Sequence, residues 1–313
     1  MGLYPKRAEE YLALAGIPRG PYSQIYIVDP ANGDDDNPGR TFQSPLASLE
    51  AAYALCTTNQ NDCILMVGGP TANTLAASIT WSKNFTHLVG MSNNLPGIGQ
   101  RCGVVGDATG DLSPLVTFSG YGNIIRNIRF VNEKDADSSS GAVVVSGARN
   151  EFTNCLFFGA VHTTPAARSD SYSLKVTGSE ELFDRCYIGY DSITRGAGEM
   201  PELWISTGAS KLSFRNCRVL TRSETITASP VAIDAVNLGY IEFESCVFIN
   251  TSTNWAVSLT DCMTITATGT HYIGLVGNNQ LIGITGWADT PTRIYQTMPA
   301  PVNTGGTNVA PTT

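Results

Sequence analysis

Apolar residues in this chain occur in short runs that are separated by Gly, Asn, Ser and Thr. Runs such as 142–145, 156–158, 203–205 and 247–249 combine β-branched, aromatic and leucine side chains. They are too short for helices, and turn residues bound them at both ends. The pattern therefore predicts a chain built mainly from short β-strands.

One motif, a phenylalanine followed three positions later by a cysteine, occurs four times at a nearly constant spacing. From Ile128 onward, the steps between equivalent positions are 27, 31, 31 and 29 residues. A fixed period in this range indicates stacked supersecondary units. The copies are Phe152 and Cys155, Phe183 and Cys186, Phe214 and Cys217, and Phe243 and Cys246, preceded by an aliphatic version with Ile125 and Ile128.

The residue just before each repeated cysteine or isoleucine is most often Asn, the commonest non-glycine residue in the left-handed region. We expect a sharp bend there between two strands, with the phenylalanine and the cysteine pointing inward on either side. One coil of about 29 residues then holds three short strands and three turns, which defines a parallel β-helix. The bend positions are Asn127, Asn154, Arg185, Asn216 and Ser245.

The four repeated cysteines predict a core ladder and not a metal or redox site. Coils stack about 4.8 Å apart, so equivalent cysteines lie above one another as small apolar side chains. Their spacing matches no zinc pattern of the CxxC type. Cys56 and Cys63 lie outside the ladder, and the loop between them allows them to approach one another.

The pattern of apolar, polar and turn residues divides the chain into three parts. Residues 1–24 form an N-terminal arm with a short helix over 6–15. Residues 25–287 form the β-helix, which opens with a segment over 25–78 that contains a helix starting at Ser44-Pro45 and running through Leu55. Residues 288–313 form an extended tail rich in Pro, Thr, Gly and Asn. Dividing 79–285 by the period predicts about seven coils.

The opening segment resembles the start of pectate-lyase-like right-handed β-helix proteins. The resemblance rests on the stretches 33–39 (GDDDNPG), 44–52 (SPLASLEAA) and 62–67 (DCILMV), and with the repeats it covers about residues 25–285. It implies a single right-handed parallel β-helix with an N-terminal capping helix. The superfamily contains lyases, hydrolases, phage tailspikes and non-enzymatic virion proteins, so the resemblance is specific for the fold and not for the function.

Composition excludes several partners. The formal net charge of −8 argues against nucleic-acid binding, which needs a basic surface. No apolar run reaches the length that spans a membrane, and the N-terminus lacks the apolar core of a signal peptide. We therefore expect synthesis in a cytosol with reduced thiols.

A catalytic site is not evident in the sequence. The paired-carboxylate motifs of polygalacturonases are missing, and His87, His162 and His271 stand in unrelated contexts. The acids of the coils are scattered, although a carboxylate pair from neighbouring coils is compatible with the pattern. No cofactor is indicated. The run Asp34 to Asp36 is interpreted as a solvated turn, with Ca²⁺ binding as the alternative, because the EF-hand register is missing.

The two ends of the chain favour a structural role. Only a short arm precedes the β-helix, whereas tailspikes usually carry a separate head-binding domain there. We expect a bacteriophage capsid decoration (cement) protein, a homotrimer assembled in the host cytoplasm and attached to the major capsid protein or other virion proteins. Lys6, Arg7, Tyr11 and Leu12 of the arm, and Arg293, Pro299 and Pro301 of the tail, are the expected attachment residues.

Two other functions fit the same sequence. One is a tailspike or receptor-binding protein that binds or depolymerises a host surface glycan, and the other is a free polysaccharide lyase or glycoside hydrolase.

The homotrimer expected for a decoration protein needs contacts between its subunits. Three outward aromatic residues, Tyr187, Trp204 and Trp255, are the expected contacts.

Overall fold

Three parallel β-sheets wind around one apolar core in the computed structural model of this protein. The structure describes residues 12–13, 16–91, 102–107, 110, 112–136, 138, 140–195, 200–222, 230–235 and 239–250, and the backbone of the strands at 263–265, 271–276, 285–287 and 292–296.

The elements are numbered in chain order. The helices are α1 (Leu49–Leu55) and α2 (Thr163–Ala166). The strands are β1 (Ile25–Val28), β2 (Asp62–Val67), β3 (Asn73–Leu75), β4 (Ile79–Trp81), β5 (Thr86–Met91), β6 (Gly103–Gly106), β7 (Val116–Phe118), β8 (Ile124–Arg126), β9 (Arg129–Asn132), β10 (Gly141–Val145), β11 (Glu151–Thr153), β12 (Leu156–Phe158), β13 (Tyr172–Val176), β14 (Leu182–Asp184), β15 (Tyr187–Ile188), β16 (Leu203–Ile205), β17 (Leu212–Arg215), β18 (Arg218–Thr221), β19 (Val231–Ile233), β20 (Gly239–Glu244), β21 (Val247–Asn250), β22 (Met263–Ile265), β23 (His271–Val276), β24 (Thr285–Trp287) and β25 (Thr292–Gln296).

The chain visits the three sheets in turn. The ten-stranded sheet has the order β1-β2-β5-β8-β11-β14-β17-β20-β23-β25, the seven-stranded sheet runs from β3 to β21 and the eight-stranded sheet from β4 to β24. Each strand pairs in parallel with the equivalent strand of the next turn, as β11 does with β8 and β14. The predicted all-β parallel β-helix is confirmed.

The coil count differs slightly from the expected seven. About five turns are regular, and they are the turns that carry the isoleucine or phenylalanine of the repeated motif in register. Dividing residues 79–285 by the period counts turns at both ends of that range as regular coils, although they do not carry the motif.

The predicted core ladder is confirmed. Phe152, Phe183, Phe214 and Phe243 are fully buried and in register, and successive ring centroids are 5.0, 4.8 and 5.0 Å apart. Near-parallel stacking at one coil per ring fills the interior beside the ten-stranded sheet without voids.

The cysteine ladder lies beside the rings, and its thiols are buried and free. Each Sγ donates to the carbonyl oxygen of a core residue one coil earlier, as Cys186 does to Phe152 (3.3 Å) and Cys217 to Phe183 (3.4 Å). Burial raises the pKa of both thiols well above the usual range. Cys56 and Cys63 are also free.

The predicted bends are confirmed as left-handed residues. Asn127, Asn154, Arg185, Asn216 and Ser245 have φ between 52 and 58°. A second corner was not predicted: just before the ten-stranded sheet, a left-handed residue recurs once per coil over seven coils, at Asn61, Phe85, Gly122, Arg149, Glu180, Lys211 and Gly239. Only two of these are glycine, so composition did not reveal the series.

The N-terminal end of the stack is closed by the opening segment. The carbonyl and amide of Leu46 bond to Asp29 and Ile27 along the free edge of β1, and the Gly39 carbonyl accepts from Ile27 as well. Gly33 is required there because a Cβ on it would lie 2.1 Å from the Leu46 carbonyl oxygen. The edge of β1 is therefore not open to another strand.

The two ends of the described chain lie on the ten-stranded sheet. Leu12 and Ile17 pack against its outer face at Cys63, Leu65 and Val89. Strand β25 pairs in parallel with β23, so part of the segment 288–313, which was expected as a separate tail, extends this sheet.

Replacing Phe183 with Ala is expected to lower the free energy of unfolding by about 3–5 kcal/mol, because it leaves a cavity between two stacked rings. Chemical denaturation followed by circular dichroism measures this loss. Tyr121→Ala, at a residue that is 42% exposed, is the control and should change stability by less than about 1 kcal/mol. Equal effects of the two substitutions would contradict the stacked core.

Candidate functional site

The outer face of the ten-stranded sheet carries several charged residues that recur at equivalent positions of the regular coils. Strand alternation turns the residues on either side of each core phenylalanine outward, and the register places them in two rows. One row is Ile124, Glu151, Leu182, Ser213 and Glu242, and the other is Arg126, Thr153, Asp184, Arg215 and Glu244.

The carboxylates of these rows are held by cations from the same or the neighbouring strand. Arg126 lies 2.6 Å from Glu151, and Arg215 lies 3.2 Å from Glu244 and 3.8 Å from Glu242. These side chains are between 21 and 47% exposed, so the pairs are screened by water and contribute little to stability. Their effect is to offset part of the negative charge along the face.

Asp184, in the middle of the row, has two partners. Its carboxylate lies 3.0 Å from Nε of Arg185 and accepts a long hydrogen bond of 3.4 Å from the Asn216 amide. A general acid or base needs a proton-carrying group that faces its substrate. The acids of this face are instead occupied by arginine, amide and hydroxyl donors.

A second charged series follows the newly found corner. Arg149 lies 2.6 Å from Glu180, which also lies 3.3 Å from Lys211 of the next coil. Hydrogen bonds from both cations lower the pKa of Glu180. Stacking places like positions one coil apart, so the charges alternate in sign along the corner.

Behind this corner lies a buried polar ladder that sequence reasoning missed. The side chains of Asn123, Asn150 and Glu181 each accept from the backbone N–H one coil earlier, at 2.8, 2.9 and 2.8 Å. Burial raises the pKa of Glu181 to about 8, against the lowering effect of the hydrogen bonds from Asn150. The available signal was a polar residue recurring at steps of 27 and 31 residues just before the strands.

His87 is buried on the outer face and is structural. Its Nδ1 accepts from the Ile124 amide at 3.1 Å, which leaves the proton on Nε2, 3.2 Å from the Asn61 side-chain oxygen. Burial, with the nearby cations Arg126 and Arg19, lowers the pKa of His87 to about 4. The imidazole is therefore neutral at physiological pH.

A fully buried ion pair joins the lateral loops beside the eight-stranded sheet. Arg195 contacts the carboxylate of Glu202, with Nε at 2.7 Å, and donates to the carbonyls of Ala160 (2.8 Å) and Tyr190 (3.0 Å). The Ser173 hydroxyl donates to Glu202 as well. Both members of the pair are satisfied, so it ties three loop segments together and offers no free group to a substrate.

The acidic turn at Asp34 to Asp36 is used for folding. The Asp35 carboxylate accepts from the backbone amides of Ala47 and Ser48 at 2.9 and 2.8 Å and from the Ser48 hydroxyl at 2.7 Å. Ser48 in turn caps α1 by accepting from Ala51. The turn is thus anchored to the capping helix. Its interpretation from the sequence as a solvated turn did not predict this anchoring.

A cleft of about 480 Å³ opens beside this cap, between α1 and the acidic loop. Its polar lining includes Asp35, Asn37 and Arg40, and the Arg40 guanidinium stacks 4.4 Å from the centre of the Tyr26 ring and donates to its hydroxyl at 3.2 Å. Leu46, Ala51 and Leu55 supply an apolar wall. Within the described residues, no group of three His, Cys, Asp or Glu side chains is arranged to hold a metal ion.

The expected attachment residues are not brought together by the described part of the chain. Leu12 is buried against its own sheet and so does not present a free side chain to another protein. Arg293 lies in β25 opposite Tyr272 of β23. Lys6, Arg7, Tyr11, Pro299 and Pro301 lie outside the described residues.

Two of the three expected interface aromatics are described. Trp204 donates its indole N–H to Asp234 at 3.0 Å and lies under the Lys175 ammonium, 3.6 Å from the ring centre. Tyr187 is half-buried near Phe158. Trp255 lies outside the described residues.

None of the helices in the described part has the length and hydrophobicity needed to cross a bilayer.

Comparison with solved structures identifies the same architecture in carbohydrate-active proteins. The chain superimposes on the pectate lyase Pel9A with a TM-score of 0.55 at 17% identity, covering 83% of this chain and 64% of that one. A rhamnogalacturonan lyase gives 0.54 at 12% identity, with 82 and 68% covered. A pectin methylesterase from Aspergillus niger gives 0.53 at 13% identity, with 89 and 86% covered.

These likenesses agree with the parallel β-helix fold described above. At such low identity they concern the fold alone, and the chain spans under two thirds of the length of the pectate lyase. The sequence matches no protein-family model, and no curated protein matches it.

The buried Glu181 predicts a specific pH dependence. Its pKa is raised by folding from about 4.5 to about 8, so its contribution to stability is fully present below pH 4.5 and is lost as the pH rises to 8. We expect the free energy of unfolding of Glu181→Gln, relative to that of the wild-type protein, to rise over this range by about 1.4 kcal/mol per pH unit. Denaturant titrations at pH 5, 6.5 and 8 measure it.

The neighbouring Glu180→Gln is the matched control for that titration. The pKa of Glu180 is lowered in the folded protein, so its contribution is present above its unfolded pKa and is lost only in more acidic solution. The difference in the free energy of unfolding between Glu180→Gln and the wild-type protein should stay constant between pH 5 and 8. A flat difference for Glu181→Gln would show that the carboxyl is not desolvated.

Arg195→Met is expected to destabilise the protein by about 3–5 kcal/mol, because it leaves Glu202 charged, buried and without a cation. Adding Glu202→Leu should recover most of the loss, and thermal unfolding of the three proteins measures both changes. Arg185→Met, in the partly exposed pair with Asp184, should change stability by about 1 kcal/mol or less. No recovery in the double variant would contradict the buried pair.

Proposed function

We propose that this protein is a structural β-helix of a bacteriophage particle, a homotrimeric capsid decoration protein attached through its terminal segments. The observation that carries the proposal is the set of ion pairs along the outer face of the ten-stranded sheet. Glu151, Glu242 and Glu244 are paired with arginines along this face. A face built this way presents paired charges to solvent and to neighbouring subunits.

The strongly shifted titratable groups support a structural role. Glu181 and His87 are buried and hydrogen-bonded to the backbone of neighbouring coils. Perturbed pKa values mark functional sites when the groups line an accessible cleft, and structural networks perturb them too. The cleft beside α1 is lined by neither of these residues.

The proposed attachment uses the chain before Leu12 and after β25. Leu12 itself anchors the arm to the sheet, so Lys6, Arg7 and Tyr11 are the arm residues assigned to a virion partner. In the tail, Pro299 and Pro301 reduce the entropy that an extended segment loses when a neighbour holds it. Tyr187 and Trp204, both half-buried on the coils, are assigned to the contacts between the three subunits.

A polysaccharide-acting protein is the second candidate, either a free lyase or hydrolase or the depolymerase of a tailspike. The likeness to carbohydrate-active β-helix enzymes favours it. Asp184 and Glu244 also share one outer row at a distance of two coils, about 9.6 Å, on either side of Arg215. Carboxylate pairs at roughly this separation hydrolyse glycosidic bonds with inversion.

Quantitative proteomics of purified phage particles tests the proposal. We expect the protein in numbers comparable to those of the major capsid protein, because a decoration protein occupies repeated lattice positions. A few copies per particle, on the tail, would favour the tailspike. Absence from particles would overturn the virion assignment.

An activity assay on purified full-length protein separates the second candidate. We expect no turnover of polygalacturonate or rhamnogalacturonan. Turnover that is lost in Asp184→Asn or Glu244→Gln, and kept in Glu180→Gln on the neighbouring corner, would contradict a purely structural role and place the chemistry on the outer row.

A further inference from the structure

We infer that Asn32 is a site of spontaneous covalent modification, and that its deamidation loosens the loop that seals the first coil. Asn32 is exposed and precedes Gly33, and this is the one Asn-Gly pair in the sequence. Glycine has no side chain to shield its backbone nitrogen or to restrict its torsion angles, so this nitrogen reaches the preceding asparagine readily. The inference goes beyond the proposed function and does not depend on the particle assignment.

The reaction needs only the chain and water. The backbone nitrogen of Gly33 loses its proton and bonds to Cγ of Asn32, the bond between Cγ and Nδ2 breaks, and Nδ2 takes up a proton and leaves as ammonia. Water then opens the five-membered succinimide ring at one of its two carbonyl groups. The product is either aspartate or isoaspartate, whose main chain runs through Cγ and is longer by one methylene group.

Asp29 engages both reacting groups in this structure. Its carboxylate accepts from Nδ2 of Asn32 at 3.1 Å, and its backbone carbonyl accepts from the Gly33 amide at 2.8 Å. The proton that Gly33 must give up is therefore the one that this carbonyl binds, and the group that must leave is tied to a carboxylate. Asparagine in a turn is commonly held by such local hydrogen bonds. We therefore expect the folded turn to slow the reaction, with Asp29 as the residue that restrains it.

The product changes the charge at this contact. Asn32 donates to Asp29 at 3.1 Å, so a carboxylate in its place sets two negative groups against each other. The loop has little room to relax, because even a Cβ on Gly33 would lie 2.1 Å from the Leu46 carbonyl oxygen. That carbonyl accepts from the Asp29 amide, and the Leu46 amide donates to Ile27 of β1. Deamidation is thereby transmitted to the loop that covers the edge of β1.

Peptide mapping by mass spectrometry, after storage of the full-length protein at pH 8 and 37 °C, measures the reaction. We expect aspartate and isoaspartate at Asn32, formed at least fivefold faster in Asp29→Ala than in the wild-type protein. Asp36→Ala, which removes an exposed carboxylate of the same loop, is the matched control and should react at the wild-type rate. Asn59, exposed but followed by Gln60, should stay unmodified over the same period.

Two results of this measurement would overturn the site. One is an unmodified Asn32 in all three proteins, and the other is an equal rate in Asp29→Ala and the wild type. Because Asp29→Ala could also loosen the loop as a whole, Asp29→Asn is measured beside it. This variant keeps a side-chain acceptor and should accelerate the reaction less than Asp29→Ala does.

Hydrogen exchange tests the effect on the sealed edge. In the modified protein, we expect the amides of Ile27 and Leu46, which bond to Gly39 and Ile27, to exchange at least tenfold faster than in fresh protein. Asn32→Asp introduces the charge directly and should accelerate the same amides. Gln43→Glu adds a charge at an exposed position of the same loop and should leave them unchanged. Equal exchange at Ile27 in fresh protein, modified protein and Asn32→Asp would overturn the link to the edge.

Discussion

Each turn of this solenoid places its side chains about 4.8 Å from the equivalent side chains of the turns before and after it. A residue is therefore selected for how well it fits beside its own counterpart. Phenylalanine satisfies this requirement by stacking, as Phe183 does with Phe152 and Phe214. Cysteine satisfies it as a small apolar side chain whose thiol donates to a carbonyl of the previous coil.

The same short distance between coils limits the positions at which charged side chains can lie. A like charge directly opposite is unfavourable, so Arg149, Glu180 and Lys211 alternate in sign along the corner. In the interior, the neighbouring coil supplies a donor to each acceptor of the ladder from Asn123 to Glu181. On the outer face, Arg126 and Arg215 each lie beside a carboxylate of the same or the neighbouring strand.

The sequence alone allowed the fold to be predicted in detail, because the repeated phenylalanine, bend and cysteine are local signals with one structural meaning. The left-handed conformation of Arg185 and Ser245 followed from their position in the repeat and not from their residue type. The Arg195–Glu202 pair was not predictable, because it joins loops that vary from coil to coil. The same holds for Leu12, whose burial depends on a surface formed by strands distant in sequence.

The closed edge of β1 has a consequence for the length of the molecule. Because the loop through Leu46 seals the first coil, the start of the stack is independent of the number of coils that follow. Duplication or deletion of one whole turn would lengthen or shorten the rod by about 4.8 Å and leave its sealed end unchanged. The length of the solenoid can therefore change during evolution in increments of one coil.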